Sequence, residues 1–235
     1  MSRPEGPWST IRGVVFDLDG TLYDKRPLEW FMVRKLLLAL PRLLRYTRVR
    51  TGLAGADHGS GEGIARVTLE RLADSVAEQQ RWARWIRERY EPTLIRGLRE
   101  ASALYPGARE LLAGLRAAGL RLGLVSDYRG VPERLAALGL DGAAFDFVLV
   151  TEEIGAMKPA PRMVAAMLAG MQLPAEALVM VGDRDFTDQR FAEAAGMHFL
   201  GVRPKGPADA TWMPWSGVQA RLLALAADQR PSRSA

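Results

Sequence analysis

The stretch VVFDLDGTL at residues 14–22 decides the fold. Its three apolar residues run directly into Asp17 and Asp19, and Gly20 follows at once. A short apolar run that stops at acids and a glycine is typical of a buried parallel strand that ends in a loop. Because ligands bind at the carboxyl ends of strands in open α/β sheets, we expect both carboxylates at the mouth of a pocket.

Two carboxylates this close require a neutralising partner. Like charges at such a separation call for a proton or a cation, and Mg²⁺ is a hard cation that prefers oxygen ligands. Taken alone, an Asp-x-Asp-Gly sequence is equally typical of a simple turn or a calcium-binding loop. The rest of the chain has to distinguish these interpretations.

The composition is that of an ordinary globular protein. The 235 residues are 48% hydrophobic and 25% charged, which suits one domain or one domain with an insertion. The absence of cysteine excludes disulfides, thiolate catalysis and Cys-ligated metal sites, and it agrees with a cytoplasmic location. The first ten residues hold Pro4, Glu5 and Pro7, so no signal peptide is expected, and no apolar run predicts a transmembrane helix.

After a first predicted strand near the start of the sequence, strand and helix patterns alternate from Tyr105 onward. Strands are predicted at 12–16, 122–125, 147–150, 178–181 and 198–202, and helices at 107–118, 131–138, 162–169, 188–195 and 218–227. This alternation predicts an α/β fold with a Rossmann-like, parallel, doubly wound sheet. The predicted core comprises residues 1–23 and 102–230, and residues 231–235 are predicted to be a disordered tail.

Residues 24–101 have a different pattern and are predicted to form an α-helical cap domain. Apolar residues between Ala65 and Tyr90 recur at helical spacing and predict one long helix. A second helix is predicted over 30–44, with Pro41 breaking or bending it. Five glycines within 51–63 predict a mobile connection between the two.

The predicted strand ends carry a distinctive set of polar side chains. They are Asp17, Asp19, Ser126, Asp127 and Asp183, joined by Lys158 and Asp188 from nearby loops. In a parallel sheet these residues fall on one rim. Carboxylates, a hydroxyl and an ammonium are the groups needed to hold Mg²⁺ and a phosphoryl group. One carboxylate is then free to attack phosphorus, and a second can protonate the leaving alkoxide.

Because these residues occur in a particular order along the chain, the sequence resembles the haloacid dehalogenase superfamily of aspartate-nucleophile phosphohydrolases. The family's four motifs are matched by Asp17-Leu18-Asp19-Gly20-Thr21, by Ser126, by Lys158-Pro159-Ala160-Pro161 and by the segment from Gly182 to Asp188. The resemblance extends over about residues 11–203. It implies that Asp17 is the nucleophile, that Asp19 is the general acid and base, and that Ser126 and Lys158 bind phosphate. Mg²⁺ would be bound by Asp17, the main-chain carbonyl of Asp19, Asp183 and Asp188.

Several positions depart from the family's pattern or have ambiguous roles. Asp127 stands where relatives often have Asn, and its charge is unfavourable near phosphate unless it points away or meets Arg129. Phe191 stands where relatives commonly have a small residue. Asp188 is equally suited to capping a helix, with Asp185 as its substitute. His58 and His198 are interpreted as structural or solvated.

The positive charge is concentrated in the cap. Residues 25–60 hold eight lysines and arginines against two acids, a net charge of +6, so the rest of the +5 chain carries about −1. This distribution argues against a nucleic-acid-binding surface. The favoured interpretation is a packed helix with a solvated face. Attraction of an anionic substrate, contact of an amphipathic helix with anionic lipid, and a dimer contact are the alternatives.

The sequence therefore predicts a Mg²⁺-dependent phosphatase that acts on a small phosphorylated metabolite through an aspartyl-phosphate. A cap that closes over the site excludes macromolecular substrates. The alternatives are a phosphomutase, a dehalogenase, and a binding or regulatory module that has lost turnover. The acid at Asp19 disfavours the dehalogenase, since the family's dehalogenases lack an acid there. The sequence specifies neither the substrate nor the oligomeric state.

Overall fold

A computed structural model describes residues 8–203 and 209–229, and its centre is a parallel β-sheet. The strands are β1 Gly13–Phe16, β2 Arg121–Ser126, β3 Phe147–Val150, β4 Leu178–Gly182, β5 His198–Val202 and β6 Trp212–Met213. They are arranged in the order β3-β2-β1-β4-β5-β6, with every pairing parallel. The predicted fold class is confirmed, and the five predicted strands lie within two residues of their observed bounds. The short β6 was not predicted.

The helices fall into an inserted group and a group that alternates with the strands. The inserted helices are α1 Arg26–Lys35, α2 Leu40–Thr51, α3 Gly61–Leu72, α4 Val76–Trp85 and α5 Glu91–Ala101. The others are α6 Ala108–Ala117, α7 Val131–Ala137, α8 Thr151–Ile154, α9 Pro161–Met171, α10 Arg190–Ala195 and α11 Trp215–Gln229. None of the helices in the described residues is both long and apolar enough to cross a membrane.

The alternation of side chains along β1 divides the core into two layers. Val14 and Phe16 belong to one apolar cluster, which also contains residues of α6 and α11. Val15 points the other way and packs with residues of α9 and α10. Both faces of the sheet are therefore covered by helices, and the carboxyl end of β1 is left to carry Asp17 and Asp19.

The inserted helices correct one prediction. The single long helix expected from Ala65 to Tyr90 is wrong, because α3 ends at Leu72 and the backbone of Ala73 is extended. Ser75 then starts α4, and its hydroxyl accepts a 3.3 Å hydrogen bond from the main-chain N–H of Glu78. The Ser-x-x-Glu spacing is a helix-start signal that overrides the apolar periodicity. The break expected near Pro41 is confirmed, since Pro41 lies in the first turn of α2.

The glycine-rich connection between α2 and α3 is anchored to the core. The main-chain N–H of Gly55 donates to the carbonyl of Lys158 at 2.9 Å, and that of His58 donates to the carbonyl of Gly155 at 2.8 Å. The segment expected to be a mobile connection thus lies against the loop that carries Lys158. The predicted tail at 231–235 lies outside the described residues.

Candidate active site

Asp17 lies at the end of β1, where its carboxylate is almost completely buried. Its Oδ1 accepts a 2.7 Å hydrogen bond from Lys158 Nζ, and its Oδ2 accepts one of 3.0 Å from Thr21 Oγ1. Burial alone would raise the pKa of Asp17, but the ammonium of Lys158 outweighs it and lowers the pKa below its usual value. Asp17 is therefore held as a carboxylate.

Lys158 is the cation at the centre of the site. Its ammonium is 1% exposed and donates to Asp17 Oδ1, to Asp188 Oδ1 at 2.6 Å and to the carbonyl of Val125 at 3.2 Å. Burial opposes the charge, yet the carboxylates of Asp17 and Asp188 hold the pKa of Lys158 well above its ordinary value. An ammonium has three donors, so all of them are engaged by the surrounding oxygens.

Three carboxylates converge at the ends of β1 and β4. Oxygens of Asp17, Asp183 and Asp188 all lie within 4.8 Å of one another. Oδ2 of Asp188 accepts hydrogen bonds of 3.1 Å from the main-chain N–H groups of Asp183 and Arg184. Burial raises the pKa of Asp183, with the charge of Asp17 adding to the effect, and burial raises that of Asp188 to about 7.

This trio fits a magnesium ion. All its donors are carboxylate oxygens, which hard cations prefer. Oδ1 of Asp183 is buried and has no hydrogen-bond partner among the described residues, while Oδ2 is paired with Lys25 Nζ. A divalent cation bound by Asp17, Asp183 and Asp188 would coordinate this Oδ1, which lies 3.8 Å from Arg184 Nε, and would offset the mutual repulsion of the acids.

Asp19 is not part of the group formed by Asp17, Asp183 and Asp188, and it has separate hydrogen-bond partners. Its Oδ1 accepts hydrogen bonds from the hydroxyl of Tyr23 and from the guanidinium of Arg134. Its Oδ2 is buried without a partner among the described residues. Two donors therefore fix the orientation of the Asp19 carboxylate and leave one oxygen available.

Ser126 and Asp127 follow β2 on the same edge. The Ser126 hydroxyl closes a turn, accepting from the main-chain N–H of Tyr128 at 3.2 Å. Of the two arrangements considered for Asp127, contact with Arg129 does not occur, because Arg129 pairs with Glu91 at 3.4 Å. Instead, Asp127 Oδ1 accepts a 2.8 Å hydrogen bond from the main-chain N–H of Lys158. The buried Asp127 carboxyl, whose pKa is raised by burial, thus positions the loop of Lys158.

The cap contributes Arg50, the last buried residue of α2. Its Nη2 donates to the carbonyl of Asp127 at 2.6 Å, and its guanidinium lies 5.9 Å from the ring centre of Tyr128. Arg134 lies 5.5 Å from the same ring. Tyr128 therefore lies close to an arginine of the inserted helices and to one of α7, and it lines the same cavity as Asp17 and Asp19.

Neither Arg50 nor Arg134 was among the predicted site residues, although the sequence contains a pattern that indicates both. Arg134 follows Val131 at helical spacing and shares its buried face on α7. Arg50 shares the buried face of α2 with Leu43 and Tyr46. An arginine within an apolar helical stripe indicates a buried charge that needs a partner. Tyr23 and Lys25 had no comparable signal.

The remaining candidates lie outside the cluster. Asp185 is exposed, and its Oδ1 accepts a 2.7 Å hydrogen bond from the next main-chain N–H. Phe191 is fully buried in the layer of α9 and α10. His58 lies in the glycine-rich connection, and the His198 ring packs 5.6 Å from that of Trp8.

Two cavities meet at Asp183. The one enclosed by Asp17, Asp19, Lys158 and the residues around them has a volume of about 10 Å³. A second cavity of about 330 Å³ lies on the other side of Asp183 and is lined by Lys25, Arg203 and Trp212, among others. The inner cavity holds about one water molecule, so the site is closed in this structure.

A family model for haloacid dehalogenase-like hydrolases matches residues 11–196. The chain belongs to this family. A curated relative, the phosphoglycolate phosphatase of Rhodospirillum rubrum, is 32% identical over 203 residues, covering 79% of this chain and 77% of its own. The four sequence motifs and the geometry of the strand ends therefore agree with the family of hydrolases that they resemble.

Solved structures of the family have the same fold. The 2-haloacid dehalogenase of Pseudomonas syringae superposes with a TM-score of 0.60 at 25% identity, covering 91% of this chain and 98% of its own. The hydrolase YfnB of Bacillus subtilis, solved with bound magnesium, superposes with a TM-score of 0.64 at 21% identity, covering 90% and 98%. At these identities the similarity establishes the fold.

Proposed function

We propose that this hydrolase is a Mg²⁺-dependent phosphatase that removes phosphate from a small phosphomonoester through an aspartyl-phosphate on Asp17. One observation carries the proposal. An ionised, buried carboxylate at Asp17 stands within 4.8 Å of two further acids and beside an ammonium, while a separate acid, Asp19, is held apart from them. That is the division of roles that phosphoryl transfer to a carboxylate requires.

In the first step, an oxygen of Asp17 attacks phosphorus and the bond from phosphorus to the leaving oxygen breaks. Asp19 donates its proton to that oxygen, so that a neutral alcohol departs. In the second step, Asp19 takes a proton from water, the water oxygen attacks phosphorus, and the bond to Asp17 breaks. Inorganic phosphate is released, and Asp17 and Asp19 return to their starting states.

Lys158 and Ser126 would bind oxygens of the phosphoryl group. The ammonium of Lys158 already contacts the attacking carboxylate, so it would also offset the repulsion between that carboxylate and phosphate. A magnesium ion held by Asp17, Asp183, Asp188 and the main-chain carbonyl of Asp19 would neutralise further negative charge there. The magnesium in YfnB and the phosphoglycolate phosphatase relative support this assignment.

A small substrate is favoured by the size of the site and by the contact of the inserted helices with its edge. Arg50 of α2 is hydrogen-bonded to the loop after β2, and the inner cavity holds about 10 Å³. A phosphoryl group is larger than this cavity, so it reaches Asp17 only when the surrounding residues move, and closure afterwards excludes bulk water. Phosphoglycolate, the substrate of the curated relative, is the first compound to test.

Hydrolysis of p-nitrophenyl phosphate and of a panel of small phosphomonoesters tests the proposal. With Mg²⁺ we expect release of inorganic phosphate, and Asp17→Asn should lower turnover by at least about a thousandfold because the nucleophile is lost. Asp185→Asn, at the exposed acid nearby, is the matched control and should retain activity. Absence of turnover across the panel would favour a non-catalytic module. Transfer to a second hydroxyl without phosphate release would favour a phosphomutase.

A further inference from the structure

The corner between α1 and α2 exposes an unusual concentration of apolar side chains. Of the seven large hydrophobic side chains that are exposed in the described residues, Trp30, Leu37, Leu38 and Leu44 lie here. Leu38 is fully exposed and Trp30 is 75% exposed. Adjacent exposed apolar groups of this size indicate a contact surface more often than a solvated one.

Cations are interleaved with these side chains. The exposed ones are Arg34, Lys35, Arg42, Arg45 and Arg48. Glu29 is the only acid in the sequence between residues 25 and 56. We call the four apolar residues and these five cations the cap-tip surface.

Helical spacing places most of the cap-tip residues on the outer side of their helices. Trp30 and Arg34 are one turn apart on α1, and Leu37 and Leu38 continue in the short 3₁₀ turn that follows. On α2, Leu44 is likewise one turn before Arg48. The inward faces pack through Phe31 on α1 and Leu43 on α2, and the four apolar cap-tip residues stay exposed. Two cations flank the inward faces, since Lys35 lies 5.5 Å from the ring centre of Phe31 and Arg42 lies 5.6 Å from that of Trp82.

We propose that the cap-tip surface docks on a lipid bilayer that contains anionic lipid. Its chemistry fits that partner, because apolar side chains at a helix corner can enter the acyl boundary while flanking cations meet anionic headgroups. None of the described helices can span a membrane, so the contact is interfacial.

Charge and composition favour lipid over the other partners. In a two-fold contact with a second copy, the five cations would face the same five cations, and Glu29 is the only acid that residues 25–56 supply to offset them. Single-stranded nucleic acid prefers aromatic platforms for base stacking, whereas three of the four apolar residues here are leucines. A bilayer accommodates both the leucines and the cations.

Sedimentation of the 235-residue chain with vesicles tests the proposal. We expect binding to phosphatidylcholine vesicles that contain about 30% phosphatidylglycerol, little binding to phosphatidylcholine alone, and release at about 0.5 M salt. Trp30 is the most exposed tryptophan of the described residues, so its fluorescence should shift to the blue on binding and Trp30→Phe should remove the shift.

Two surface variants separate the apolar from the electrostatic contribution. Leu37→Ser with Leu38→Ser should weaken binding at least tenfold, since two leucines no longer leave water. Arg34→Gln with Arg45→Gln should weaken it on the order of fivefold per cation. The matched control on the core, Leu223→Ser at another exposed leucine, should bind as the unmodified chain does. All three should keep the unmodified melting temperature and phosphatase activity.

Five outcomes would overturn the proposal. The first two are equal binding to neutral and anionic vesicles, and undiminished binding by the leucine variant. The third is displacement of the protein from vesicles by soluble glycerophosphoglycerol, which would indicate a headgroup pocket. The fourth is displacement by a single-stranded oligonucleotide, and the fifth is a dimer in light scattering that the leucine variant abolishes.

Discussion

Burial and the adjacent ammonium of Lys158 have opposite effects on the pKa of the Asp17 carboxylate. Burial disfavours its charge, and the 2.7 Å hydrogen bond from Lys158 restores it. The result is a desolvated anion, which is a stronger nucleophile than one surrounded by water. Asp19 has no ammonium beside it and instead accepts from Tyr23 and Arg134. Two carboxylates one residue apart thus occupy different environments, as different roles require.

Arg134 should act as a positioning residue for Asp19. Arg134→Met removes the guanidinium that orients the carboxylate, and we expect kcat to fall on the order of 10–100-fold with a smaller change in KM. Arg134→Lys should recover part of the loss, because it keeps the charge but not the planar geometry. Steady-state kinetics with an alkyl phosphate and with p-nitrophenyl phosphate provide the measurement.

Two substrates with different leaving groups distinguish a positioning role of Arg134 from a general loss of folded structure. An alkoxide needs the proton of Asp19 to depart, whereas p-nitrophenolate departs more easily without it. Arg134→Met should therefore slow the alkyl phosphate more than p-nitrophenyl phosphate. An equal loss on both substrates would mean that Arg134 serves only the stability of the fold. Tyr23→Phe, which removes the second donor to Asp19, is the companion variant.

Among the elements, the packing of α1 against α5 depends on a glycine. A Cβ atom added at Gly97 would lie 2.7 Å from Leu28 Cδ1 and 2.8 Å from Phe31 Cδ1, both on α1. Contacts this short require the Leu28 and Phe31 side chains, or α1 itself, to shift. The close packing of α1 on α5 therefore depends on the missing side chain at position 97.

Gly97→Ala and Gly114→Ala form a matched pair of helix substitutions. At Gly97 we expect a loss of about 1–3 kcal/mol in the free energy of unfolding from overpacking, reduced by the better helix propensity of alanine. At Gly114 of α6 an added Cβ meets nothing within 4 Å, so alanine should stabilise by up to about 1 kcal/mol. Urea unfolding of both variants measures the difference. A destabilised Gly114→Ala, or an unaffected Gly97→Ala, would contradict the packing argument.

The elements also show what the sequence could and could not predict. Short continuous apolar runs predicted the core strands, because these strands lie largely inside the sheet and polar residues or glycine mark where they end. The cap helices were harder, since the apolar spacing from Ala65 to Tyr90 is continuous across a break that Ser75 and Glu78 specify locally. The contacts of Arg50 and Arg134 with the site depend on how α2 and α7 pack, which a one-dimensional pattern does not contain.

At the scale of the whole molecule, the buried acids of the site make the stability of the fold depend on pH, because their protonation changes with pH. Asp183 and Asp188 are buried acids whose pKa values are raised, that of Asp188 to about 7. An acid with a raised pKa in the folded state contributes stability below its ordinary pKa, and that contribution is lost as the pH rises through the folded value. Without metal, Asp188 should therefore lower the stability of the protein as the pH rises from about 4 to about 7, and Asp183 should act in the same direction.

Magnesium should offset that loss, because it binds the deprotonated carboxylates. At a concentration of about a hundred times its dissociation constant, it should stabilise the fold by about 2.7 kcal/mol at pH 7.5 and by less at pH 5.5, where protons compete. Thermal unfolding at both pH values, with Mg²⁺ and with EDTA, measures the effect. Asp183→Asn should reduce the magnesium-dependent shift, and Asp185→Asn should leave it intact. A shift that is equal at both pH values, or equal in both variants, would mean that the ion binds elsewhere or that these acids are already ionised at pH 5.5.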